Sequence, residues 1–178
     1  MNAKWMVAAA AALALAFVTV WAAWPGSAGS APQSEVCDPT AKNANLNFTV
    51  KDVAGKSVSL ASYKGKVVLL DFWATWCGPC QVEIPWFVEF HDKYKDRGFA
   101  VVGVSVDDTP DQLTPFVAKF KMNYPVLVGL GEDDLQEAYG PLWGLPTTYL
   151  IDREGRICRK HMGLVQKDDL EKEILRLL

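Results

Sequence analysis

Two apolar runs dominate the middle of the chain, Val67 to Trp73 and Phe99 to Val106. Both are rich in β-branched and aromatic residues and lack polar alternation. Such runs suit strands buried on both faces. Between them Val82, Trp86 and Phe90 recur every four residues, with Phe87 and Tyr94 beside them. That stripe predicts a helix burying one broad face. Pro85 inside it removes one backbone donor and should bend it, and the charged run Asp92 to Arg97 followed by Gly98 ends it. Strand, helix and strand in this order predict a right-handed βαβ unit with a parallel pair.

Upstream, Leu46 to Val50 alternates, Asp52 to Gly55 is a turn, and Ser57 to Leu60 returns as a short strand, which predicts a β-hairpin. Downstream, Asp108-Thr109-Pro110 starts a helix whose apolar face is Leu113, Phe116, Val117 and Phe120. Pro125 to Leu130 reads as a short strand, and Glu132 to Tyr139 as a short helix stopped by Gly140-Pro141. Thr147 to Ile151 and Arg156 to His161 bracket the turn Asp152 to Gly155, an antiparallel hairpin. Asp168 to Leu178 closes as a helix with Leu170, Ile174 and Leu177 inward. The expected fold is an α/β domain over residues 44–178, a central mixed sheet flanked by helices.

The N-terminus changes the picture of where this domain works. Trp5 to Trp24 is twenty residues without a charge, about 30 Å as a helix, enough to cross a bilayer. Trp5, Trp21 and Trp24 lie at its ends, and Lys4 places the short N-terminus inside. A cleaved signal peptide, with Gly26-Ser27-Ala28 as the cut site, is the rival reading of residues 1–28. Either way the domain is exported, and residues 29–43 read as a linker. A net charge of −3 without basic runs gives nucleic acid no electrostatic footprint.

Cys77-Gly78-Pro79-Cys80 follows the first buried strand directly and opens the first helix. A dithiol at that turn can close into a disulfide and reopen, and Cys77 at the helix N-terminus gains a stabilised thiolate. A zinc half-site would need a second ligand pair at short spacing, which neither Cys37 with Cys158 nor His91 with His161 supplies. No metal and no cofactor is expected. Asp71 stands in a strand that should be buried, where a carboxylate is costly, and it reads as a proton acceptor for Cys80. Glu83 lies three residues after Cys80, on the same side of the helix; an exposed helix Glu near a positive N-terminus is one reading of it. His91 and His161 are most simply surface residues. In an oxidising compartment Cys37 and Cys158 are more naturally bridged than free, closing a long loop; a free Cys158 acting as a small hydrophobe is the alternative.

From about residue 44 to 178 the chain resembles the thioredoxin superfamily, and more closely its membrane-anchored TlpA/ResA-like branch. The resemblance is carried by Asp71-Phe72-Trp73-Ala74-Thr75-Trp76-Cys77-Gly78-Pro79-Cys80, by Glu83 and Pro85, and by Tyr139-Gly140 and Gly144-Leu145-Pro146-Thr147-Thr148. It implies a thioredoxin-like fold in which Pro110 to Leu130 is a helix-plus-strand insertion, and a cis peptide at Pro146 facing the cysteines. It also implies that Glu83 tunes the thiols by its charge, and that the backbone of Leu145 pairs with an extended substrate, with Trp76 and Trp143 as an apolar rim; packing in the core is the other reading of Trp143. Two features depart from the branch: an acidic Asp71 where many relatives carry an amide, and a segment from Tyr139 to Gly144 one residue longer than usual.

These residues predict an exported thiol-disulfide oxidoreductase, a protein-disulfide reductase in which Cys77 attacks and Cys80 resolves. By resemblance it is a periplasmic domain of the bacterial cell envelope, anchored in the inner membrane by residues 5–24 or released there if cut, and a monomer. Its implied partners are a membrane thiol donor and disulfide-containing clients, such as apocytochrome c or copper-delivery proteins. A Cu(I) metallochaperone using the same soft cysteine pair is the alternative, although no Met or His cluster stands nearby to complete a site. A thiol peroxidase would want Thr three residues before its cysteine, whereas Thr75 is two before Cys77.

Overall fold

The computed structural model describes Cys37, Asp38 and residues 40–178. The predicted span at 5–24 and most of the linker lie outside the described residues. Among the described residues no helix is long and apolar enough to cross a membrane.

The first buried run forms β3 (Val67–Trp73), and every one of its residues is buried. Its neighbour β4 (Phe99–Ser105) runs parallel to it and is equally buried. The five-stranded sheet has the order β5-β4-β3-β6-β7. There β5 (Val126–Val128) is parallel to β4, β6 (Thr147–Ile151) is antiparallel to β3, and β7 (Ile157–Met162) is antiparallel to β6 at the sheet edge. The mixed sheet expected from the chain's order is therefore present, with β3 at its centre. A separate hairpin, β1 (Thr49–Lys51) with β2 (Ser57–Ser59), hangs on the β5 edge through an Asp52–Leu127 bridge. It starts three residues later than the alternation at Leu46 suggested, and Leu60 opens a 3-10 turn instead of ending a strand.

Because side chains alternate along a strand, β3 feeds two cores. Val67, Leu69 and Trp73 pack with α1 (Gly78–Tyr94), α2 (Pro110–Phe120) and α4 (Lys167–Leu177) on one face. Val68, Leu70 and Phe72 pack with α3 (Asp133–Tyr139) and the hairpin side on the other. The chain runs through Pro85 and leaves α1 at Tyr94, with a 3-10 turn over Lys95–Arg97 and Gly98 at φ 83° completing the stop. A capping box between Thr109 and Gln112, with Pro110 in the first turn, starts α2.

The lead-in lies along the edge of β7. Ile157 N–H donates to Lys42 O at 2.8 Å, Asn43 pairs with Arg156, and Cys37 is disulfide-bonded to Cys158.

Candidate active site

The site grows from the end of β3. Cys77 N–H donates to Ala74 O at 3.1 Å, folding the chain over into α1. Cys77 is the N-cap of that helix, and its sulfur accepts the Cys80 N–H at 3.2 Å. An N-cap acceptor satisfies one of the orphan donors at a helix start, and those donors with the helix dipole favour negative charge on it. Cys77 and Cys80 are joined as a disulfide, both buried, with Cα atoms 5.3 Å apart.

Beneath this pair lie two acids. Asp71 shares its strand face with Leu69 and Trp73, so it points at α1, whose buried side presents Cys80, Glu83, Ile84 and Phe87. Asp71 is 2% exposed and Glu83 1%. On the neighbouring strand Thr148 stands in register with Asp71, and its hydroxyl donates to Asp71 Oδ1 at 3.0 Å. Glu83 Oε1 accepts the backbone N–H of Val165 at 3.2 Å, whereas Oε2 is buried without a partner. Burial, and then the nearby negative charge of Glu83, push the Asp71 carboxyl well above the usual carboxylate range against the opposing Thr148 hydrogen bond. Burial raises Glu83 to about 7, the Val165 amide opposing. Two buried carboxyls whose proton affinity is raised stand under a dithiol that exchanges protons when it reacts.

The loop before Cys77 is held from outside. Asp108, 1% exposed, accepts the Thr75 N–H at 2.8 Å on Oδ2, with the Thr75 hydroxyl on Oδ1 and the Ser105 hydroxyl on Oδ2. Gln81 Nε2 donates to Thr75 O at 2.8 Å, and the Trp76 indole N–H donates to Asp107 Oδ2 at 2.9 Å. The Trp76 ring remains 65% exposed. Thr147 pairs with Phe72, so β6 begins beside the end of β3 and places the 144–146 loop at the same edge of the sheet as Cys77. The Leu145–Pro146 peptide is cis, as is Gly140–Pro141 in the lengthened segment. Gly163 N–H donates to Pro146 O at 2.8 Å, and Leu145 packs against both cores. Trp143 is 82% exposed, so it stands in solvent and not in the core.

Sequence reasoning named Asp71 and Glu83 but missed the groups that hold them and the loop: Thr148, Asp107 and Asp108. Asp108 was read as part of a helix start; the capping box at Thr109 leaves it free to turn into the site. His91 also departs from expectation, since it is half-buried with Nδ1 buried and unpartnered. His161 is engaged too, 2.7 Å from Glu173. Cys37, Cys158 and Asp152 are the only group of three metal-capable side chains among the described residues. The two cysteines there are bonded to each other, and Asp152 is paired with Arg156 at 2.7 Å.

Known proteins with this arrangement share its chemistry. The AhpC/TSA family profile matches residues 41–160. A thiol-disulfide oxidoreductase ResA of Bacillus thuringiensis subsp. konkukian is 35% identical over 131 residues, 74% of this chain and 75% of that protein. The ResA of Geobacillus kaustophilus is 34% identical over 130 residues, 72% of each chain. Among solved structures, a thiol:disulfide interchange protein of Chlorobium tepidum superposes with a TM-score of 0.71 at 31% identity, over 79% of this chain and 99% of that one. One from Bacteroides sp. gives 0.67 at 32%, over 78% and 89%. The chain thus belongs to the AhpC/TSA family of the thioredoxin superfamily, among its thiol-disulfide oxidoreductases.

Proposed function

We propose that the chain works as a reductant of exported client proteins, with Cys77 as nucleophile and Cys80 as resolving thiol. The observation that carries this reading is Cys77 Sγ seated on the start of α1 above the buried Asp71 and Glu83. The Cys77 thiolate attacks a client disulfide, and the released client thiolate takes a proton from water. Cys80 then gives its proton to Asp71 and displaces the client's second sulfur from Cys77, closing the Cys77–Cys80 bond. Two electrons leave the dithiol and enter the client.

Trp76 and Trp143, both exposed, offer the client an apolar rim, and Leu145 with Pro146 offers an extended backbone edge for β-pairing. Clients with accessible cysteine pairs, such as apocytochrome c or copper-delivery proteins, fit this reading. Electrons come from a membrane thiol donor, and residues 5–24 hold the domain at the outer face of the inner membrane. Redox titration of the full chain tests it. A midpoint nearer thioredoxin's value of about −270 mV is expected, and one near about −120 mV, the range of strong oxidants, would refute the reductant reading. A Cys80→Ser variant should accumulate a mixed disulfide on Cys77 with the client, which mass spectrometry then identifies.

A further inference from the structure

We propose that the Cys37–Cys158 disulfide is a second thiol-exchange site, opened at Cys37 by small anionic thiols that enter through an arginine-lined cavity. The inference stands apart from the reductant reading, since it concerns a different disulfide and a different class of partner.

Both cysteines are buried, so attack on their bond needs an opening, and Cys37 has one. A cavity of about 40 Å³ is lined by Cys37, Asp152, Glu154 and three arginines, Arg153, Arg156 and Arg176. A water occupies about 30 Å³ in the liquid. The cavity therefore admits a thiolate sulfur, while the rest of a small thiol stays outside among the arginines. Of the two cysteines only Cys37 belongs to its wall, which makes Cys37 the sulfur attacked.

Charge at the opening selects the thiol. Arg156 is committed: its guanidinium holds Asp152 Oδ2 at 2.7 Å, and its backbone N–H donates to Asp152 Oδ1 at 2.8 Å. Arg153 turns to the main-chain oxygens of Arg97 and Leu178, at 3.1 and 3.0 Å. Arg176, exposed on α4, has no ion-pair partner among the described residues. Its fork of donors is available to a carboxylate or sulfonate on the incoming molecule.

Asp152 completes the site. It is buried, and its Oδ2 lies 3.3 Å from Cys37 Sγ. A carboxylate there accepts the hydrogen of a Cys37 thiol, a charge-assisted bond that only the opened form can make. It therefore favours opening.

The steps balance. The small thiolate attacks Cys37 Sγ, the bond to Cys158 breaks, and Cys158 leaves as a thiolate that takes a proton from water. A second molecule of the same thiol displaces the first from Cys37, which takes a proton and shares it with Asp152. Two electrons pass from the small thiols to the protein sulfurs, and the small thiols leave joined as a disulfide. The lead-in keeps ties to the start of β7 that involve no sulfur: Ile157 N–H donates to Lys42 O at 2.8 Å, and Asn43 pairs with Arg156.

The test treats the oxidised full chain, under native conditions, with three two-carbon thiols that differ in charge: 2-mercaptoethanesulfonate, 2-mercaptoethanol and cysteamine. Each rate is divided by that of the same thiol with a neutral small disulfide. A pulse of N-ethylmaleimide caps free thiols, and peptide mass spectrometry reads Cys37 and Cys158 separately from Cys77 and Cys80. A mixed disulfide on Cys37 with capped Cys158 is expected, forming about tenfold faster with the sulfonate than with the amine, within the range of charge steering. Arg176→Gln should remove most of that advantage, and Arg176→Lys should keep it. Equal rates for the three thiols overturn the proposal, because opening by unfolding is indifferent to charge. So does an adduct on Cys158 in place of Cys37, an undiminished advantage in folded Arg176→Gln, or no adduct on either cysteine once Cys77–Cys80 is fully reduced. If Arg176→Gln does not fold, the order of the three thiols on the wild-type chain decides alone.

Discussion

Glu83 carries the residue-scale argument. Its carboxyl sits near 7 in the folded chain against 4.5 for an ordinary glutamate. Between those values the folded state holds a proton that the unfolded state has lost, so stability falls as pH rises through the window and levels off above it. Glu83→Gln removes that loss. Urea unfolding should show the variant and wild type alike near pH 4.5. Near pH 8 the variant should be the more stable by about 3 kcal/mol at most, at 1.36 kcal/mol per pKa unit. Equal stability at pH 8 would mean that Glu83 is not held protonated by burial. Asp71 and Glu83 were legible in the sequence because a charge amid Val-Val-Leu-Leu and one a turn past Cys80 are both conspicuous. Thr148 was not, because only strand register brings it opposite Asp71, and register is absent from a linear pattern. Gly103, a glycine inside a buried strand, likewise marks a close approach without naming what approaches, here the Trp73 and Tyr124 rings.

At the scale of elements, α1 is legible as a helix but not in its inward face: of the stripe Val82, Trp86 and Phe90 only Phe90 is buried, Trp86 is half-buried and Val82 is 46% exposed, while Cys80, Glu83, Ile84 and Phe87 turn inward. Edges fared less well. The hairpin strands hold only three residues each and hang from β5 by a bridge, so tertiary contact rather than alternation sets their ends. The turn after β4 matters more than its length suggests, because Asp108 ties Thr75 and Ser105 together just ahead of Cys77. Asp108→Ala strands the Thr75 N–H and two hydroxyls in a part-buried loop. The expected loss is about 3 kcal/mol, since an orphaned buried donor costs roughly 1–3 kcal/mol. Urea denaturation measures it, and a loss below about 1 kcal/mol would show that solvent replaces the carboxylate easily.

Over the whole molecule, the parallel β3–β4 pair and the β6–β7 hairpin follow from the order of strands and helices, the place of β6 beside β3 does not, and the Cys37–Cys158 pairing came only from compartment reasoning. The two cysteines are 121 residues apart, and closing a loop of that size is worth about 4–5 kcal/mol in the chain-entropy description. Cys37→Ser with Cys158→Ser should therefore lower unfolding free energy by up to about that much. Exchange at Cys77 and Cys80 should persist in native conditions. Loss of exchange in the folded double variant would tie the second disulfide to the chemistry itself.

That disulfide also fixes a direction. Cys158 stands at the end of the sheet where β3 begins, and Cys77 at the end where β3 finishes, about 17 Å of strand away at 3.3 Å per residue. The domain is moored by its stern. Cys37 is therefore held at the pole of the sheet opposite the dithiol.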